Sequence, residues 1–113
     1  MMRITRSTVG DYLRVVNELI ESAEVSAVTF VTDDHNFTSV THWGEFSYPG
    51  FVTGGTIGGI RPIAEVLHSG RSISCKLEQI DYVTDYNMKV YPLFSDEEEN
   101  MVIGTWGSVV ATR

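Results

Sequence analysis

Residues 71–111 read as three strands in succession, with no helical pattern between them. Ile73, Cys75 and Leu77 alternate with Ser74, Lys76 and Glu78, so this stretch has one apolar and one polar face. A second stretch covers residues 88–94. Pro92 inside it lacks a backbone donor and predicts an edge position or a bulge. The last stretch covers residues 101–111, where Gly104 and Gly107 predict close backbone approach or a bulge. Strands segregated from helices favour an antiparallel α+β domain over a parallel doubly wound one.

The front of the chain is helical. Val9, Tyr12, Leu13, Val16, Leu19, Ile20 and Ala23 fall at helical spacing, with Arg14, Asn17, Glu18 and Glu21 on the other side. Thr8 and Asp11 stand in a capping arrangement, so the spacing predicts a helix over 8–23. The β-branched run 25–32, the turn cluster Asp33-Asp34-His35-Asn36 and the return 37–43 predict a hairpin over 25–43. Residues 44–59 are rich in glycine, with Pro49-Gly50, Gly54-Gly55 and Gly58-Gly59, and predict irregular backbone or short helical turns. Pro62 suits the first turn of a helix that continues through Ile63, Ala64, Val66 and Leu67 and stops at Gly70. No repeat or linker interrupts the 113 residues, so a single domain over 1–113 is expected, with the sheet and its covering helices within 25–111.

Charge removes several function classes. Eight Lys and Arg stand against fifteen Asp and Glu, a formal net charge of −7, and no two basic residues are adjacent. A nucleic-acid binder needs a basic footprint, and so does a protein that docks on an anionic membrane. Neither partner is expected. Asp96, Glu97, Glu98 and Glu99 form a run that reads as a solvated turn. Cys75 is the one cysteine, so no intrachain disulfide can form and a reducing compartment is expected. No apolar stretch approaches the roughly 20 residues that span a bilayer. The N-terminal residues have no apolar run behind their charges, so no signal peptide is expected and the expected location is the cytoplasm.

Two words of the sequence resemble a known family. The first is Ile63-Ala64-Glu65-Val66-Leu67-His68-Ser69-Gly70-Arg71-Ser72-Ile73, a helix, a glycine and a basic residue leading into a strand. The second is Val90-Tyr91-Pro92-Leu93-Phe94, an acidic turn, then Val102-Ile103-Gly104-Thr105. With the leading hairpin, they resemble PAS-like sensory domains, such as those attached to bacterial chemotaxis receptors and other signalling proteins. The resemblance implies an α+β fold with a five-stranded antiparallel sheet of order 2-1-5-4-3, an N-terminal helix, and short helices covering one face. It implies a small ligand, a cofactor or only packed side chains between sheet and cover, and output through flanking helices. The chain ends at Arg113, just after the last strand, so either it is a self-standing sensor or its output arm is missing. The N-terminal helix is then the expected signalling or dimer-forming element.

No catalytic residue is assigned. Ser and His are present, but no G-x-S-x-G places them, and the glycines at 54–59 lack the G-K-[ST] ending of a phosphate cradle. Three scattered histidines do not make a metal-ligand spacing. Cys75 reads as a core thiol, outside the Asn-Cys-Arg-type helical motif of flavin-adduct relatives. His68 lies where haem-binding relatives ligate iron, but a helix C-terminus favours a histidine on its own account. No haem or flavin is expected. His35 reads as solvated, while His42 beside Trp43 fits a pocket mouth or the sheet surface.

The expected function is binding of a small organic ligand by a sensory domain without catalysis. A small α+β enzyme with a cone-shaped pocket and a ligand-free dimerisation module remain alternatives. The pocket is expected between the sheet's concave face and residues 44–70. Strand alternation offers Gly104, Trp106 and Ser108, or Ile103, Thr105 and Gly107, to that face. Trp106, Tyr91 and Phe30 are the expected wall residues, because amphipathic rings suit small-molecule cavities. His68 or Arg61 would supply the polar contact, with Arg61 suited to a carboxylate. The glycine-rich cover is the expected mobile gate. The wide apolar stripe of the N-terminal helix predicts a homodimer, because one small sheet would not cover it.

Overall fold

The computed structural model describes residues 3–46, 50–77 and 85–111. Of the positions singled out above, Pro49, Glu78 and Arg113 lie outside the described residues. Helix α1 (Val9–Ala23) is followed by β1 (Ala27–Thr32), β2 (Phe37–Trp43), α2 (Arg61–Ser69), β3 (Ile73–Leu77), β4 (Tyr86–Phe94) and β5 (Val102–Ala111). The strands form one antiparallel sheet in the order β2-β1-β5-β4-β3. Among the described residues no helix is long and apolar enough to cross a membrane.

The sheet separates two apolar clusters. On one side, Val28, Phe30, Met88, Val90 and Val109 pack against Ile63 and Val66 of α2 and against Phe51 and Ile57 of the glycine-rich cover. On the other, Leu93 and Trp106 pack with Ile4 and Val9, joined by Tyr12, Leu13 and Val16 of α1. With both faces covered, β1 loses the alternation of a half-buried strand, which is why its sequence is an unbroken run of Ala, Val, Thr and Phe. Burial of Phe30, Phe37 and Phe51 supplies roughly 1.5–3 kcal/mol each. Their rings sit 5.4–5.8 Å apart, so each ring also gains edge or tilted contacts with the other two.

One local expectation is corrected, and one holds only locally. The Thr8 hydroxyl does not cap α1. The preceding residues form a turn in which Thr8 N–H donates to the Thr5 carbonyl at 3.1 Å. Thr8 thus adopts near-helical angles, φ −106° and ψ −16°, and its oxygen accepts the Thr5 N–H instead. Asp11 pairs with the exposed Arg14 at 3.3 Å. The second concerns Pro92, since β4 is an interior strand. However, β3 begins only at Ile73, opposite Val90, so Pro92 lies on a stretch of β4 with β5 on one side only, and a register shift follows at Leu93/Phe94. Phe94 turns its N–H and C=O to Ile4 and Arg6 of the N-terminal segment. Pro92, two residues earlier, shares that side, so its missing N–H removes nothing from the β4–β5 ladder.

The two glycines of β5 do permit close approach. A Cβ at Gly107 would collide with the Lys89 carbonyl and stand 3.1 Å from the Phe30 ring, and one at Gly104 would meet the Thr32 carbonyl.

Candidate functional site

Helix α2 is positioned by its apolar face, with Ile63 and Val66 buried against the sheet. Pro62 lies in its first turn, and Gly70 ends it in the left-handed region at φ 71°, donating its N–H to the Val66 carbonyl at 2.8 Å. That reversal brings Leu67, His68, Ser69 and Gly70 opposite Phe94, Asn100 and Val102, around an open groove of about 510 Å³. Asn100 also adopts a positive φ, 65°, where the acidic turn meets β5. The turn is ordered by Ser95, whose hydroxyl accepts the N–H groups of Glu97 and Glu98 at 3.1 and 3.2 Å. The groove thus has apolar walls from Leu67, Phe94 and Val102 and polar groups from His68, Ser69 and Asn100.

A second groove of about 360 Å³ is lined by Arg6, Asp33, Ser95, Asp96, Glu97 and Ile103. Its carboxylates already have partners. The Ser7 hydroxyl donates to Asp96 at 2.6 Å and holds this carboxyl below its ordinary range. Asp33 accepts the N–H groups of Asn36 and His35 at 2.7 Å each, which lowers its pKa in the same way. Asp33, Asp34 and His35 bring ligand atoms within 4.8 Å of one another on a mostly exposed turn. There the His35 ring pairs with Asp34 at 2.8 Å, and the Asp33 oxygen that caps the turn is taken.

The five expected pocket residues do not come together. Phe30 lies fully buried in the cluster beneath the cover. Arg61 and His68 are exposed, at opposite ends of α2, and His68 alone lines the large groove. Tyr91 and Trp106 face the other way. They stack at 4.7 Å on the side covered by α1, where Trp106 also meets Tyr12 at 6.3 Å. Of the two alternating sets on β5, Gly107 faces the cover, whereas Ile103 of the same set, beside the register shift at Leu93/Phe94, packs with Trp106 on the α1 side. The reason is steric: the Phe30 ring occupies the space above Gly107 that any larger side chain would need.

The glycine-rich cover, expected to gate the pocket, is tied to the first hairpin. Phe37 N–H donates to the Gly55 carbonyl, Gly54 N–H to the Phe37 carbonyl and Ile57 N–H to the His35 carbonyl, at 2.8–3.0 Å. The Asn36 amide donates to the Gly54 carbonyl at 3.2 Å. Cys75 packs at the rim of the cover-side cluster, and burial raises its pKa. Phe94, Asn100 and Val102 were not singled out as binding residues. The signal available for Asn100 was its place between an acidic run and a strand, where asparagine tolerates the left-handed region.

No protein-family profile and no curated protein matches the chain. Among solved structures, it is similar to a sensory box sensor histidine kinase from Vibrio cholerae, with 15% identity, a TM-score of 0.58 and 96% of each chain covered. The fold is PAS-like. In this PAS-like arrangement the strand order, the N-terminal helix and the cover over one face are those that the sequence words implied.

Proposed function

We propose that this chain is a sensory domain that binds a small organic ligand and performs no chemistry of its own. The observation that carries the reading is the groove between the last turn of α2 and the ends of β4 and β5, set into a PAS-like fold. It is large enough for a small molecule, and its mixture of apolar wall and few polar groups is what such ligands require. His68 is the polar contact in this reading, and Phe30 belongs to the aromatic floor under the cover. Binding would shift the domain between two states in proportion to its different affinity for each.

Output is assigned to α1. Its apolar stripe is only partly covered: Val9 and Ile20 are buried, but Leu19 is 65% exposed, and Val15, four residues before it and outside the stripe, is 54% exposed. A second copy packed on that surplus would make a homodimer. With a single free thiol at Cys75 and no disulfide among the described residues, we place the domain in the cytoplasm.

The test is a thermal-shift ligand screen on the wild type and on His68→Ala, with native mass spectrometry of the freshly purified protein. A ligand that stabilises the wild type and loses most of that effect on His68→Ala supports the groove. Equal stabilisation of both folded proteins moves the site elsewhere.

A further inference from the structure

The edge of β4 carries a notch. β3 reaches only to Val90, and the N-terminal segment joins at Phe94, where Phe94 N–H donates to the Ile4 carbonyl at 2.9 Å and Arg6 N–H to the Phe94 carbonyl at 3.2 Å. Residues 91–93 between them have no strand on that side among the described residues. A cavity of about 230 Å³ opens there, its walls formed by Ile4, Tyr91, Pro92 and Phe94 and its far bank by Arg71 and Ser72. The walls are apolar, and because proline has no N–H, Pro92 can offer the notch only its carbonyl.

The charge at this notch is opposite to that of the molecule. The chain carries −7 overall, yet no carboxylate lines the cavity. Arg71 is exposed, and its guanidinium has no hydrogen-bond or ion-pair partner among the described residues. A second guanidinium, that of Arg3, adds positive charge nearby without lining the cavity: it lies 5.1 Å from the centre of the Phe94 ring with its Nε buried and unpartnered. An unpaired guanidinium beside an apolar cleft is a receptor for a planar anion joined to an apolar body.

We infer that this notch binds a small monocarboxylate carrying an aromatic ring or short apolar chain. The carboxylate pairs with Arg71, and the apolar body lies between Ile4 and Tyr91. A phosphate fits less well, because its second charge finds no partner on the walls. Occupancy is legible from inside the protein: Tyr91 stacks on Trp106, which in turn meets Tyr12 of α1. The site is distinct from the His68 groove, although Gly70 and Phe94 line both.

The experiment uses Trp43→Phe protein, so that Trp106 is the only indole, with folding checked by circular dichroism. Phenylacetate, 2-phenylethanol, acetate and inorganic phosphate are titrated in turn. Trp106 fluorescence and amide NMR shifts are followed. Phenylacetate is expected to give a saturable change in both, with amide shifts centred on residues 70–72, 91, 93 and 94. Arg71→Gln should weaken it about tenfold, the loss of one charge-assisted contact, Arg71→Lys less, and 2-phenylethanol should bind about tenfold more weakly than the acid. His68→Ala should leave this titration unchanged, which separates its failure from that of the groove on α2. No saturable response to phenylacetate, equal affinity for acid and alcohol, phosphate binding as tight as phenylacetate, or indifference to Arg71→Gln would each overturn the inference.

Discussion

The hydroxyls of Thr32 at the end of β1 and Thr105 on β5 meet at 2.8 Å, both residues buried, and the Thr105 N–H donates to the same Thr32 oxygen at 3.1 Å. The pair is therefore asymmetric. Thr105→Val removes one hydroxyl and leaves the Thr32 oxygen bound by the backbone, so a loss of about 1 kcal/mol is expected. Thr32→Val strands both a hydroxyl and a buried N–H, and a loss of about 2–3 kcal/mol is expected. Urea unfolding of the two variants measures the order. Equal losses would mean that the backbone contact adds nothing.

Helix α1 ends on Glu24 in the left-handed region, at φ 55°. A side chain there is strained by about 1–2 kcal/mol, and glycine removes that strain while raising the entropy of the unfolded chain. Glu24→Gly should therefore stabilise the protein by about 0.5–1 kcal/mol, read as a higher Tm at unchanged oligomeric state.

Gly107 is predicted to be among the least replaceable residues of the sheet. A Cβ would meet the Lys89 carbonyl, which is backbone and cannot move aside cheaply. Gly107→Ala should cost about 3 kcal/mol or more, through overpacking rather than through a change of backbone angles. Chemical denaturation decides it.

Two carboxylates set an acid limit. Asp96, held by the Ser7 hydroxyl, and Asp33, held by two backbone N–H groups, both titrate below their ordinary value in the folded protein. A group whose folded pKa is lowered contributes stability that is fully present above its unfolded pKa and lost as pH falls through the folded one. With an unfolded value near 4, roughly, the loss should set in below about pH 4 and deepen with further acid. Ser7→Ala should shrink this decline without altering Asp33's share, and Asp33→Asn should do the reverse. Tm measured against pH for the three proteins tests it.

If α1 forms the dimer contact, a charge at Leu19 will break it. Leu19→Glu should shift sedimentation toward a single chain while leaving the folded signal intact, because Leu19 makes little contact within its own domain. Wild-type protein that sediments as a monomer at high concentration would count against the dimer.

The architecture was legible because its signals are local. The spacing of Val9, Tyr12, Leu13 and Val16, the Asp33 turn, the Pro62 and Gly70 limits of α2 and the alternation from Ile73 each report on a few neighbouring residues. The site was not legible in the same way. Trp106 and Gly107 are neighbours on β5, and period-two alternation separates their faces without saying which face is which. The choice was made by residues distant in sequence: the Phe30 ring requires the empty space at Gly107, and Ile4 and Tyr12 complete the niche that holds Trp106. Tyr91 follows Trp106 because the two are register partners across β4 and β5.

The strap of residues 4–6 also has a bearing on how copies of this chain avoid one another. An uncovered strand end is a template on which any other extended chain can add itself, the first step of aggregation. At Phe94 both backbone groups are taken by Ile4 and Arg6, and at Pro92 the donor is missing altogether. The far end of β4 is thus blunted twice, once by pairing and once by chemistry. Loss of the first six residues would undo only the first of these, leaving Phe94 as the point where association between chains would start.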